Sequence, residues 1–346
     1  MTRPASIRSR GFWCTAALLL ILPATLYGWL RTGLLDLPSL PANLTAEATG
    51  LADLDRMRRL NALIWSDSDS AVQPQSAEDL APGAALVRAG IAAYRRSGTC
   101  AGLEEIRQGL RLEPNNLVFA NAYRMVVFAL RREFLASARQ ESLVAPKFPP
   151  ELDGQPIRFF EELDRDKSTR ETKLHLALAW VDEMLLFPAL EIKAPASAEA
   201  VNLLTAAIEQ GGSDYVPALF ARGLNHLHRP ARLVWPESTR TPREAAAQDL
   251  RRCIAIGRRL GVGSPRLQGA LALDLGDAYV KAGRISLARS WWQIAQNQCK
   301  DADLQGAIRR RYAWQDEEIL DRLEEELDRS RSELGHPMTD LALMWN

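Results

Sequence analysis

The feature that most restricts what this chain can fold into is a spacing of small residues that occurs twice. Gly90 is followed twelve residues later by Gly102, then by Ile106 after four and Gly109 after three, and Gly276 is followed at the same intervals by Ala288, Trp292 and Ala295. Intervals of three and four keep residues on one face of a helix, and the interval of twelve spans a turn, marked in the second copy by Gly283. Small residues at facing positions let two helix axes approach closely, while Tyr279 and Trp292 fill the space beside them. One such pair cannot bury both of its faces, so the pattern predicts pairs stacked on pairs.

From Pro82 onward apolar residues recur at three and four residue intervals, with Gly, Pro or Asn interruptions that predict helices of about 12 to 16 residues. In Leu112-Glu113-Pro114-Asn115-Asn116 the proline stops one helix and the asparagines start the next. With 21 Gly and 19 Pro in 346 residues, and without long runs of Val, Ile and Thr, the chain reads as all-α. Fainter units stand where Ala200, Leu204 and Ala207 precede Gly211, and where Gly223 is followed by Ala246, Leu250 and Cys253. Leu117–Gln140 reads as one long helix, and the stretch to Arg170 carries no assignable repeat.

These units resemble the tetratricopeptide repeat (TPR) family, best over Leu86–Asn116 and Ala272–Lys300. A generic array of α-hairpins from another repeat family is the alternative. The resemblance implies an α-solenoid of antiparallel helix pairs over residues 82–300, with the first helices lining a groove for a peptide or a partner helix. It places Val87, Ile91, Tyr94 and Arg95, and Leu273, Asp277, Val280 and Lys281, on that groove; of these, Tyr94, Arg95, Asp277 and Lys281 are the candidate partner contacts. Ile91, Leu224 and Asp277 stand where some relatives clamp a carboxylate with asparagine, so that activity is not carried over.

Arg3, Arg8 and Arg10 precede the uncharged run 11–30, which as a helix spans about 30 Å, one bilayer crossing. The basic tail 1–10 should stay cytoplasmic, which exports the remainder to the periplasm of a bacterial envelope, single-pass at the inner membrane. Leu22 spoils cleavage after Ala24, so an uncleaved anchor is favoured over a cleavable signal peptide. Residues 31–81, with scattered prolines and Ser66-Asp67-Ser68-Asp69-Ser70, read as a solvated linker around a short helix near Leu51–Trp65. Ile319, Leu320, Leu323 and Leu327 form one apolar stripe in 301–335, the expected capping helix. In the tail 336–346, the ending Met344-Trp345-Asn346 is open between folding back and remaining loose.

Forty-three basic and 43 acidic residues remove the electrostatic reason for a nucleic-acid partner. GxxxxGK[ST], GxSxG and HExxH are missing, and Gly261-Val262-Gly263-Ser264-Pro265 reads as a helix start. His226 and His228 diverge on a helix and read as polar packing, so no metal and no cofactor is expected. Cys100, Cys253 and Cys299 read as structural cysteines, and Asp182-Glu183 and Glu161-Glu162 as solvated faces. Gly223 and Ala246 are twenty-three apart where the clear copies have twelve, which marks an insertion at a turn. The segment His226–Pro242 carries Arg229, Arg232 and Trp235 among three prolines, either a partner contact or a lid folded over adjacent helices. The expectation is a non-enzymatic scaffold that binds a protein or peptide in the envelope. The alternative, a solute-binding accessory of an envelope transport system, requires a closed apolar pocket.

Overall fold

The computed structural model describes residues 37–66, 82–141, 147–187, 190–230, 242–333 and 340–345. The uncharged run 11–30, with Arg232 and Trp235, lies outside them. Among the described residues there are fifteen helices and no strand. Short α1 (Ala46–Thr49) and α2 (Leu54–Trp65) come first. Then follow α3 (Ala84–Ser97), α4 (Leu103–Leu112), α5 (Leu117–Glu141), α6 (Ile157–Asp166), α7 (Arg170–Leu186), α8 (Leu190–Gln210), α9 (Val216–His228), α10 (Pro242–Leu260), α11 (Pro265–Lys281) and α12 (Ile285–Gln298). The order ends with α13 (Ala302–Tyr312), α14 (Ile319–Glu333) and α15 (Ala342–Trp345).

Local chemistry sets the boundaries. The Asn116 carboxamide accepts from the Val118 and Phe119 N–H groups at the start of α5, directly after Pro114. Ser264 caps α11 by accepting from Leu267 N, with Pro265 in the first turn, and a reciprocal Thr169–Thr172 capping box opens α7. Gly98 and Gly283, at φ 62° and 73°, supply the left-handed turns that end α3 and follow α11.

The small-residue pairs meet as their spacing predicts. A Cβ on Gly90 would lie 2.4 Å from the Gly102 carbonyl oxygen and 2.6 Å from Ile106, and one on Gly276 would lie 2.4 Å from the Trp292 indole and 3.0 Å from the Ala288 oxygen. No side chain fits at either place, so α3 packs on α4 and α11 on α12 with backbone close to backbone. Helices α7 and α8 also pack together, as do α9 and α10, while α5 meets α6 through Tyr123 against Phe159 and Phe160. Each of α3, α5, α7 and α9 also touches the next but one helix, and each of α4, α6, α8 and α10 touches its successor. The result is a helical repeat-like all-α body. One contiguous core runs from Leu51 to Trp345.

Three expectations are corrected. Residues 37–66 are packed onto the body: Leu51, Leu60, Leu63 and Ile64 are buried, Arg259 donates to the Leu40 and Ala42 carbonyls, and Arg170 donates to those of Glu47 and Ala48. The apolar periodicity of this stretch outweighs its prolines. Helix lengths run from 10 to 25 residues in α3–α12, beyond the predicted range, and α8 continues through Pro195. Asp182 and Glu183 are not on a solvated face but bind arginines of α5, whereas Glu161 and Glu162 are exposed as predicted.

Candidate functional site

The first helices of the pairs touch in series, so their shared face is where a groove was expected. On α11 it carries Asp274, Asp277 and Lys281, three and seven residues apart and therefore on one side of the helix. Asp277 is fully buried. Its Oδ1 accepts from Arg311 Nε at 2.7 Å and from Trp292 Nε1 at 3.0 Å, and its Oδ2 from Arg311 Nη2 at 2.6 Å. One carboxylate thus ties α11, α12 and α13 together with charge-assisted bonds. Lys281, also buried, donates to the Leu227 and Arg229 carbonyls at 2.5 and 2.8 Å and pairs with Glu324 of α14 at 2.8 Å. It satisfies carbonyls that the end of α9 leaves free.

Further along, Arg124 of α5 forms a two-pronged pair with Asp182 of α7, at 2.9 and 3.2 Å, both side chains buried. Two helical turns on, Arg131 pairs with both Glu183 oxygens and lies 4.4 Å over the Phe148 ring. The segment 340–345 crosses the same region, because α15 packs against both α2 and α11. Asn121 of α5 donates to Asp340 Oδ1 at 2.8 Å and accepts from the Leu341 N–H at 3.0 Å. Arg58 of α2 donates to the Trp345 carbonyl at 2.7 Å. Leu341, Met344 and Trp345 are buried, so the fold-back alternative for this ending is the one observed.

The sequence-predicted contacts therefore divide. Arg229 and Lys281 are brought together at the end of α9, with Asp277 one turn away, but all three are buried in bonds within the chain. Arg229 donates to the Ser197 hydroxyl and carbonyl at 2.9 and 3.1 Å. Since α13 and α14 cover this end of α11, Asp277 and Lys281 do not offer a surface to a partner. Tyr94 is half-buried and Arg95 exposed, the latter donating to the Trp65 carbonyl at 2.6 Å. Arg124, Arg311, Asn121 and Arg58 were missed. The readable signal for the first was a charge set among the apolar residues of α5.

Burial governs the titration of this face. Asp274 is pushed up to about 7, first by desolvation and next by the like charge of Asp277, against the opposing pull of Arg311. His226 is lowered to about 3 by desolvation and then by Arg229 and Arg222, and His175, beside Arg124 and stacked on Phe160, is lowered well below the ordinary range by burial. Burial raises the Cys253 thiol well above its usual range, which disfavours the nucleophilic thiolate. Among the described residues no group of three or more His, Cys, Asp or Glu is placed to hold a metal ion, and no helix is long and apolar enough to cross a membrane. A small, mainly apolar cavity between Leu51, Val216, Cys253 and Trp291 has a volume of about 30 Å³. Compared with family models, curated proteins and solved structures, the chain has no match.

Proposed function

We propose that this protein is an anchored scaffold: a TPR-like α-solenoid held at the outer face of the cytoplasmic membrane by residues 11–30, binding a partner protein without chemistry of its own. The observation that carries the reading is the register of contacts. First helix meets first helix from α3 to α11, which joins the pairs into one continuous face. The charges on that face are spent on ties between helices, such as Arg124–Asp182 and Asp277–Arg311, and do not converge on a reacting centre. The anchor rests on the sequence of 11–30 and its preceding arginines. The partner surface keeps Tyr94 and Arg95 on α3 and Arg232 and Trp235 in the insertion; Arg229, Asp277 and Lys281 leave it.

The experiment is recovery of the full chain from detergent-solubilised membranes, comparing wild type with the Arg232→Ala/Trp235→Ala double variant. A stoichiometric protein that is lost from the variant, at unchanged melting temperature, is the expected result. A co-purifying small molecule without a protein would overturn the scaffold reading in favour of solute binding.

A further inference from the structure

The segment 340–345 sits against the expected groove in the manner of a bound peptide. Its amino end is read by Asn121, whose carboxamide grips both the Asp340 side chain and the Leu341 N–H, while the Asp340 carboxylate also accepts from the Ala342 N–H at 2.9 Å. Its other end is held by Arg58 through the Trp345 carbonyl. Between these polar grips Leu341, Met344 and Trp345 are buried. The receiving residues come from α2 and α5, which stand 287 and 220 positions earlier in the chain.

The fit is incomplete at one atom. The Trp345 indole N–H is buried and finds no acceptor among the described residues. A ligand that satisfied the indole, or replaced it with a purely apolar group, would avoid that loss.

We propose that 340–345 is a removable latch occupying a docking groove, and that the groove's other occupant is a short amphipathic segment of a partner protein with the same chemistry. That segment begins with an Asp or Asn cap, carries Leu next, and presents a bulky Met or Trp-like apolar pair one helical turn later. The mode is that of an amphipathic helix laid in a groove. Partner binding then requires release of the latch, which lowers apparent affinity by the fraction of molecules open. This inference rests on the partner-binding reading above.

The test uses the full chain and a fluorescein-labelled peptide with the sequence of residues 338–346, followed by anisotropy. The full-length Met344→Ala/Trp345→Ala variant, whose latch is weakened, should bind the peptide at least tenfold more tightly than wild type. Adding Asn121→Ala, or placing Asp340→Ala in the peptide, should reduce that binding at least tenfold. Equal binding by wild type and the latch variant, or no saturable binding to a folded latch variant, overturns the proposal. A wild-type measurement guards against a variant that fails to fold: the Met344 amide, bonded to the Leu341 carbonyl, should exchange with solvent at least a hundredfold faster than the core amides of α11. Equal protection overturns the latch. Pairing of latch-variant chains with wild-type chains, dissolved by the peptide, would make a second copy the occupant and overturn the commitment to a foreign partner. Peptide binding without any recovered membrane partner supports the latch and sinks the scaffold reading; a partner recovered equally by both forms, with no peptide binding, does the reverse.

Discussion

Replacing Gly276 by alanine tests the packing argument with one methyl group. In an open helix interior the change should stabilise by about 1 kcal/mol, since glycine is the poorer helix former. Here the new Cβ would lie 2.4 Å from Trp292 Cδ1 and Nε1 and 3.0 Å from the Ala288 oxygen, distances that require movement. Trp292 is fully buried, and its indole N–H donates to Asp277, the carboxylate that also holds Arg311. Moving the ring far enough to admit the methyl strains or breaks that bond. Overpacking costs about 1–3 kcal/mol and an unmade buried hydrogen bond about 1–3 kcal/mol more. Less the propensity gain, the net loss is about 1–5 kcal/mol. The control is Gly306→Ala in α13, where the nearest atom would be the Arg310 guanidinium at 3.7 Å, and a gain of about 0.5–1 kcal/mol is expected. Urea titrations of both variants, with Trp292→Phe added to complete a cycle, measure the difference. A Gly276→Ala variant as stable as Gly306→Ala would refute the claim that a close helix contact, and not chain flexibility, holds the glycine there.

Asp182→Ala should cost about 3–5 kcal/mol by leaving Arg124 buried without its carboxylate, while Arg124→Met/Asp182→Leu should recover most of that; thermal melts decide. Asp274, raised to about 7, keeps its proton in the folded state while the unfolded chain loses it, so it withdraws stability as pH rises from about 4 to about 7, by up to about 4 kcal/mol. Asp274→Asn should remove that decline in a pH series of denaturant titrations. His226, lowered to about 3, acts in the opposite direction: its contribution is complete above about 6.5 and is lost as pH falls toward 3, so His226→Gln should flatten the acid limb of the same series. Protease added to spheroplasts should digest the chain beyond about residue 31 while intact cells protect it; recovery of a soluble chain beginning near Thr25 would refute the anchor.

The helix pairs were legible because glycine inside a helix is unfavourable unless a neighbour needs the space. Gly90, Gly109 and Gly276 therefore announced their contacts by spacing alone. Charged residues carry no such marker. Asp182 and Glu183, adjacent on α7, look the same in sequence whether they meet water or Arg124 and Arg131 from a helix more than fifty positions earlier. Asp277 and Lys281 were expected on an open groove, but α13 and α14 cover them, and the charged stretch after the last clear repeat gave no hint of where it would lie. The packed position of 37–66 was hidden for a related reason. Prolines and polar residues there mimic a linker, while what fixes it, the burial of Leu51, Leu60, Leu63 and Ile64 and the bonds from Arg170 and Arg259, depends on residues distant in the chain.

The seating of α15 on α2 has a consequence for the chain's biosynthesis. Arg58 and Trp345 are separated by 287 positions. At roughly 5–20 residues per second, α2 waits on the order of 15–60 s for the residues that cover this part of it. During that interval the helix hairpins can form as their own neighbours are made, since hairpin contacts are local. The patch on α2 is therefore a timestamp, open on a nascent molecule and closed on a finished one. A chain interrupted before Trp345 keeps it open, displaying apolar surface to the chaperones and proteases that sort incomplete products.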